Sequence, residues 1–343
     1  MYILKEGLRL PKSSRLRKSG ICIFSKYTIN LALVLKEEKS PRDCPDKNTL
    51  NIKHNDYMIT TKFDYAAPET LETAVKLLAE NKDAQILPST SLLTEIKLGQ
   101  IAPSLLVDLK KIPSLKGING NRIGGITTYN EIISNKEFNK TYHTLVQAAS
   151  MIGDVQLRNV QTIGDVFAYK DLACDLLPVA VALEASFTIT GVTGQRTIPA
   201  EQFVSSSLQP GDIVEAINLP NLPPFTSSAY QSFKHPASGY TLCGVAAVVT
   251  KTPDGTISKI QVALTGAYSQ TIRLTEVEQS LLGKTATTEN IAAAAKLAKM
   301  SISNISQADP VMWELMERYA TQEYRNHIAT VLTERAIKKA VAA

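Results

Sequence analysis

The stretch from Gln85 to Leu109 limits the fold more than any other part of this chain. Gln85-Ile86-Leu87 reads as a short strand that runs into Pro88-Ser89-Thr90-Ser91. Residues 92–98 then repeat apolar side chains at helical spacing, and Gly99 can stop the helix. Residues 105–109 (Leu-Leu-Val-Asp-Leu) read as a second strand. Strand, turn, helix and strand within about 25 residues make a compact βαβ unit, since parallel strands need a crossover connection.

Around this unit the pattern is mixed. Residues 59–65 alternate like a strand and end at Pro68. Residues 69–80 carry Leu71, Ala74, Val75, Leu77 and Leu78 on one helical face, with Glu69 and Glu72 suiting the N-terminal dipole. Residues 122–128 read as a strand bent at Gly124–Gly125, Tyr129 begins a helical stretch, and 144–152 predicts a further helix. Residues 157–163 read as an apolar, strand-like turn closing on Gly164 and the small residues Ala168 and Ala173. After Pro178, residues 179–185 form an apolar run, 186–190 alternate, and Gly191–Gly194 signals a hairpin. Gln209-Pro210-Gly211-Asp212 turns into a strand over 213–219, and Pro220, Pro223 and Pro224 punctuate a loop. Two long strands, 242–250 and 258–265, flank the hairpin residues Pro253-Asp254-Gly255. Helices are expected over 275–282, 288–300 and 324–341. The class is α+β, without internal repeat, and the expected division is 58–229 and 230–343.

Charge is distributed unevenly. Residues 1–57 hold twelve Lys/Arg against six Asp/Glu, within a net charge of +5 for all 343 residues. The remainder, with 25 basic and 26 acidic residues, has no electrostatic footprint for nucleic acid. Residues 1–57 are therefore expected to be a basic extension, disordered or not native, with Met58 as the working initiator. The four cysteines (Cys22, Cys44, Cys174, Cys243) form no C-x-x-C pair, so neither a zinc site nor an iron–sulfur cluster is expected in this chain. No apolar run has the length of a membrane span, and the expected location is cytoplasmic.

Two turns can cradle a phosphate. Leu87-Pro88-Ser89-Thr90-Ser91 lies between a strand and a helix, where amide N–H groups and the helix dipole face an anion. Thr162-Ile163-Gly164-Asp165 supplies a glycine that admits close backbone approach. The plain alternative for each is a simple connection. Likewise Asp175 can cap the helix through Val181, Lys234 can be a solvated loop residue, Gly124–Gly125 only a bend, and Trp313 a packing residue.

Five segments in order carry a specific resemblance: 86–99 (ILPSTSLLTEIKLG), 123–132 (IGGITTYNEI), 148–165 (AASMIGDVQLRNVQTIGD), 171–185 (DLACDLLPVAVALEA) and 234–247 (KHPASGYTLCGVAA). Together with the tail 320–337, they resemble the FAD-binding medium subunit of molybdenum hydroxylases, the carbon monoxide dehydrogenase and xanthine dehydrogenase group. The resemblance implies a two-subdomain FAD-binding domain of the PCMH type, followed by a C-terminal domain with an antiparallel sheet and helices. It implies FAD as cofactor, with a small iron–sulfur subunit and a large molybdopterin-binding subunit as partners in a heterotrimer or its dimer. Electrons then pass from iron–sulfur clusters through the flavin to an external acceptor, with no catalytic side chain in this subunit.

Carried across residue by residue, the family's first loop, approximately A-G-G-T-D, falls on Leu87, Pro88, Ser89, Thr90 and Ser91. The second, T-I-G-G-N/S, falls on Thr162, Ile163, Gly164, Asp165 and Val166, so a carboxylate stands where glycine is usual. Gly125, Thr127 and Thr128 match the middle glycine and hydroxyl pair. Asp175 matches an acidic residue near the ribityl–phosphate region and Lys234 a basic residue near the isoalloxazine. The two loops are expected to converge on one diphosphate through main-chain amides. Asp165 also sustains an alternative, a family member that keeps the fold but binds FAD weakly or not at all.

Overall fold

Three short parallel strands open the part of the chain that the computed structural model describes, residues 62–169, 174–236, 239–267, 270–299 and 320–342. The expectations for residues 1–57, for 59–61, and for Ala173, Met300 and Trp313 lie outside the described residues. The strands β1 (Asp64–Ala66), β2 (Gln85–Leu87) and β3 (Leu105–Asp108) form a sheet in the order β1-β3-β2. Gln85 pairs with Leu106 in parallel register, so the expected βαβ unit is present.

Side-chain alternation along β3 gives each face of this sheet its own helix. Leu105 and Val107 pack with Ala74, Val75 and Leu78 of the Leu71–Glu80 helix. Leu106 packs instead with Leu92 and Ile96 of the Thr90–Lys97 helix. Ser89 starts that second helix by accepting from the Leu92 N–H at 3.1 Å, and Gly99 at φ +66° follows its end.

The second sheet comprises β4 (Ile118–Asn119), β5 (Arg122–Gly124), β6 (Ser186–Gly191), β7 (Gly194–Pro199) and β8 (Ile213–Asn218), antiparallel in the order β4-β5-β8-β6-β7. Helices fill the connection between β5 and β6. Phe187 of β6 meets Phe167 of the Ile163–Tyr169 helix edge-on at 4.7 Å, which ties this sheet to those helices, and stacks at 4.2 Å on Phe203 of the Ala200–Ser205 helix that follows β7.

The third sheet, β12-β11-β10-β9, is antiparallel and built from β9 (Thr226–Lys234), β10 (Thr241–Lys251), β11 (Ile257–Thr265) and β12 (Ile272–Arg273). Both faces of β10 are covered. Cys243, Val245, Ala247 and Val249 share a core with Ala329, Leu332, Ala336 and Ile337 of the Gln322–Ala342 helix. Ala246 and Val248 belong to the core built around the Leu176–Ala182 helix. Among the described residues no helix is long and apolar enough to cross a membrane.

The architecture is α+β as expected, with local differences. The strand-like turn at 157–163 is helical: Val155–Val160 forms a helix, and a second follows at Ile163–Tyr169. Asp154 accepts from the Leu157 N–H at 2.8 Å and caps the first of them. The apolar run after Pro178 likewise belongs to a helix, Leu176–Ala182, and β5 stops at Gly124. Strand β9 spans residue 230, so the chain passes between the second and third sheets in the proline-punctuated loop before Thr226.

Candidate functional site

The two phosphate-type turns meet. A cleft of about 370 Å³ is lined by Pro88 and Ser89 from the first, by Thr162, Gly164 and Asp165 from the second, and by Gly125 between them. Backbone hydrogen bonds fix the approach. Ile163 donates to the Thr127 carbonyl at 3.0 Å, Gly164 to the Gly125 carbonyl at 2.8 Å, and Gly125 to the Glu215 carbonyl of β8 at 2.8 Å. Thr128 and Thr162 form an antiparallel bridge beside them.

The glycines are required by proximity rather than by backbone angle, since neither Gly125 nor Gly164 has positive φ. A Cβ on Gly164 would lie 2.6 Å from the Gly125 carbonyl oxygen, and a Cβ on Gly125 would lie 2.0 Å from the Val214 carbonyl oxygen. The amides of Ile163 and Gly164 are thus spent on the middle loop, which differs from the expectation that second-loop amides face a diphosphate. Ile163 itself is core.

Asp165 reaches across to the first turn. Its carboxylate accepts from the Thr90 N–H at 3.4 Å and from the Ser89 hydroxyl. Ser89 is the N-cap and Thr90 the first residue of the Thr90–Lys97 helix, so a negative charge sits where N–H groups and dipole favour an anion. Burial nevertheless pushes this carboxyl up to about 6; the Ser89 and Thr90 hydrogen bonds oppose the rise and the nearby Glu95 charge adds to it. Leu87 ends β2 ahead of a cis peptide to Pro88, and Ser91 lies in the first turn of the helix.

Both threonine hydroxyls of the middle loop are engaged within the chain. Thr127 donates to the Gly117 carbonyl at 3.1 Å, and Thr128 forms a capping box with Glu131 at the start of the Tyr129–Ser134 helix. They brace the loop.

Asp175 and Lys234 are absent from the lining of this cleft and form a second cluster. The Asp175 Oδ1 accepts from the Tyr230 and Thr241 hydroxyls, both at 2.5 Å, and Lys234 Nζ lies 3.4 Å from Oδ2 while also donating to the Met151 carbonyl. Asp175 makes no capping bond to its own helix, so the capping alternative does not hold. It ties that helix to β9 and β10.

Tyr129 was not among the sequence candidates. It is fully buried, and its hydroxyl has no hydrogen-bond partner. Its ionisation is pushed well above the ordinary phenol value by burial first, then by Cys174, Asp165 and Asp175, so it sits within electrostatic reach of both clusters. The sequence signal was its place directly after Thr127–Thr128. Glu95 and Tyr230 were missed too, because nothing local marks them.

A dinucleotide fits the arrangement on two points: a cleft within the size range of small-molecule sites, and two turns meeting at its wall. The Asp165 carboxylate is at odds with a diphosphate.

Comparison with known proteins matches residues 61–222 to the FAD binding domain in molybdopterin dehydrogenase and residues 228–340 to the CO dehydrogenase flavoprotein C-terminal domain. The 6-hydroxypseudooxynicotine dehydrogenase complex subunit alpha of Paenarthrobacter nicotinovorans is 32% identical over 81% of this chain and 94% of its own. The carbon monoxide dehydrogenase medium chain of Hydrogenophaga pseudoflava is 34% identical over 70% of this chain and 87% of its own. A solved structure of carbon monoxide dehydrogenase from Hydrogenophaga pseudoflava, lacking the Mo-pyranopterin moiety of its cofactor, superposes with a TM-score of 0.73 at 31% identity, covering 82% of this chain and 98% of that one. Fold, cleft and relatives agree: the chain belongs to the FAD-binding medium-subunit family of the molybdenum hydroxylases, and is an oxidoreductase subunit with FAD as its cofactor.

Proposed function

We propose that this chain is the electron-transferring flavin subunit of a cytoplasmic molybdenum hydroxylase complex, with a small iron–sulfur subunit and a large molybdopterin-binding subunit as partners. The flavin supplies the redox chemistry, accepting electrons from the iron–sulfur clusters and releasing them to an external acceptor. The protein's part is to bind, orient and shield it. Pro88 and Ser89, ahead of the helix that Thr90 and Ser91 begin, form one wall of the diphosphate seat, and Thr162, Gly164 and Asp165 the other, with Leu87 and the buried Ile163 behind them. Gly125, Thr127 and Thr128 hold the walls together, Asp175 serves the ribityl–phosphate region and Lys234 the isoalloxazine. The FAD-binding domain runs from residue 58 to the loop ahead of β9, and the C-terminal domain from Thr226 on, so the division lies a few residues before the expected 229/230.

The observation that carries this reading is the meeting of two turns 75 positions apart, joined at Thr90 and Asp165, with Ser89 and Asp165 on the wall of one cleft. The test is the visible spectrum of the purified chain, alone and after adding FAD. Bands of bound oxidised flavin are expected. A colourless protein that ignores added FAD refutes the reading and favours the second one, a structural family member with impaired FAD binding, for which the Asp165 carboxylate on the Thr90 amide is the warrant.

A further inference from the structure

The diphosphate seat already holds an anion that belongs to the chain. The Asp165 carboxylate accepts from the amide and the hydroxyl at the start of the Thr90–Lys97 helix, and it lines the same cleft as Gly125 and Gly164. A phosphate brought to that helix end would compete for its donors and face a like charge a few Å away, at low local dielectric.

We propose that Asp165 is the determinant of cofactor affinity in this protein, and that FAD binds only with uptake of one proton by the Asp165 carboxylate. This rests on the reading that the cleft is the FAD site. The balance is simple: carboxylate, one solvent proton and FAD give neutral carboxyl and bound FAD. The neutral acid removes the repulsion, gives up its claim on the Thr90 N–H, and gains an O–H donor.

The charges around Asp165 favour protonation within the physiological range. Burial is the largest influence, and Glu95, on the same helix as Thr90, presses in the same direction. Glu95 is itself buried, with one carboxylate oxygen lacking a partner. Tyr129, from the helix after the middle loop, is neutral. Asp212, on the cleft wall, is paired with Arg196, and Tyr169 lines the cleft from the helix of Asp165. Lys82, the cation among the lining residues, is exposed. The diester diphosphate of FAD does not titrate near neutrality, so the proton belongs to the protein.

The experiment is calorimetric titration of the full chain with FAD from pH 5 to pH 8, in two buffers of different ionisation enthalpy. If binding demands the neutral form of a group titrating at about 6, affinity falls on the order of 100-fold between those limits, with close to one proton taken up per FAD at the upper end. Asp165→Asn is expected to bind tightly and without pH dependence. Glu95→Gln removes a charge that raises the Asp165 carboxyl, so it is expected to shift that transition to lower pH. Wild-type affinity that changes less than about 3-fold, or an Asp165→Asn profile parallel to wild type, overturns the proposal and leaves the FAD site standing. Failure of wild type and Asp165→Asn alike to bind FAD at any pH overturns both.

Discussion

Gly164→Ala tests whether this cleft is held open by backbone contact. The new Cβ would meet the Gly125 carbonyl oxygen at 2.6 Å, about 0.8 Å inside the 3.4 Å at which ordinary contact begins, with the Gly125 carbonyl carbon and Cα both at 3.1 Å. Main chain cannot rotate away as a side-chain tip can, so the two loops must separate. Separation stretches the 2.8 Å bond from the Gly164 N–H to the Gly125 carbonyl and the 3.0 Å bond from Ile163 to Thr127. Overpacking of this kind costs roughly 1–3 kcal/mol, and a weakened buried hydrogen bond adds about 1 kcal/mol. Alanine returns up to about 1 kcal/mol of helix propensity, because Gly164 lies in the first turn of Ile163–Tyr169. The expected net loss is therefore about 1–3 kcal/mol, read as a lower urea midpoint at unchanged slope, together with weaker FAD binding. A Gly164→Ala protein as stable as wild type, or more so, would refute the close-approach argument.

Asp165→Asn should act on stability without any cofactor. Burial raises the folded-state carboxyl to about 6 from its ordinary 3.8, so between these limits the native state holds more protons than the unfolded one. Stability therefore falls as pH rises through that window, and the Asn variant should exceed wild type by on the order of 3 kcal/mol at pH 8 and match it near pH 4, as measured by urea denaturation. Asp175→Ala strands the Tyr230 and Thr241 hydroxyls and the Lys234 ammonium, and is expected to cost about 3–5 kcal/mol in the same assay. Burial pushes the Cys243 thiol up to about 12, with Arg325 pulling the other way. A thiol reagent at pH 8 should accordingly modify Cys243 no faster than the protein unfolds.

The parts of the fold legible in the sequence were those whose pattern is local. Residues 85–108 alternate strand, cap and helix in a way that admits few other readings, and the hairpin of β6 and β7 was marked by its alternation and its two glycines. The helix Val155–Val160 was misread because its apolar residues do not point inward: Val155 is 53% exposed and Val160 49%. Capping by Asp154, and the Arg158 guanidinium on the carbonyls of Ile152 and Gly153, set that segment instead. In the site, the resemblance located the two turns, but not how they use their groups. Gly164 serves the neighbouring loop, Asp165 the opposite turn, and Asp175 two strands 55 and 66 positions away. Contacts of such separation leave no trace in residue spacing.

The core containing the Leu176–Ala182 helix also takes in Tyr230, Ala246, Val248 and Ala263 from the third sheet. Cutting the polypeptide in the loop ahead of Thr226 would consequently not release two self-sufficient pieces. The leading fragment would present a bare apolar wall and an Asp175 side chain shorn of its donors, and it would need the trailing fragment supplied in trans to become soluble. Any gene-splitting or fusion scheme for this subunit has to treat the pair as one cooperative body.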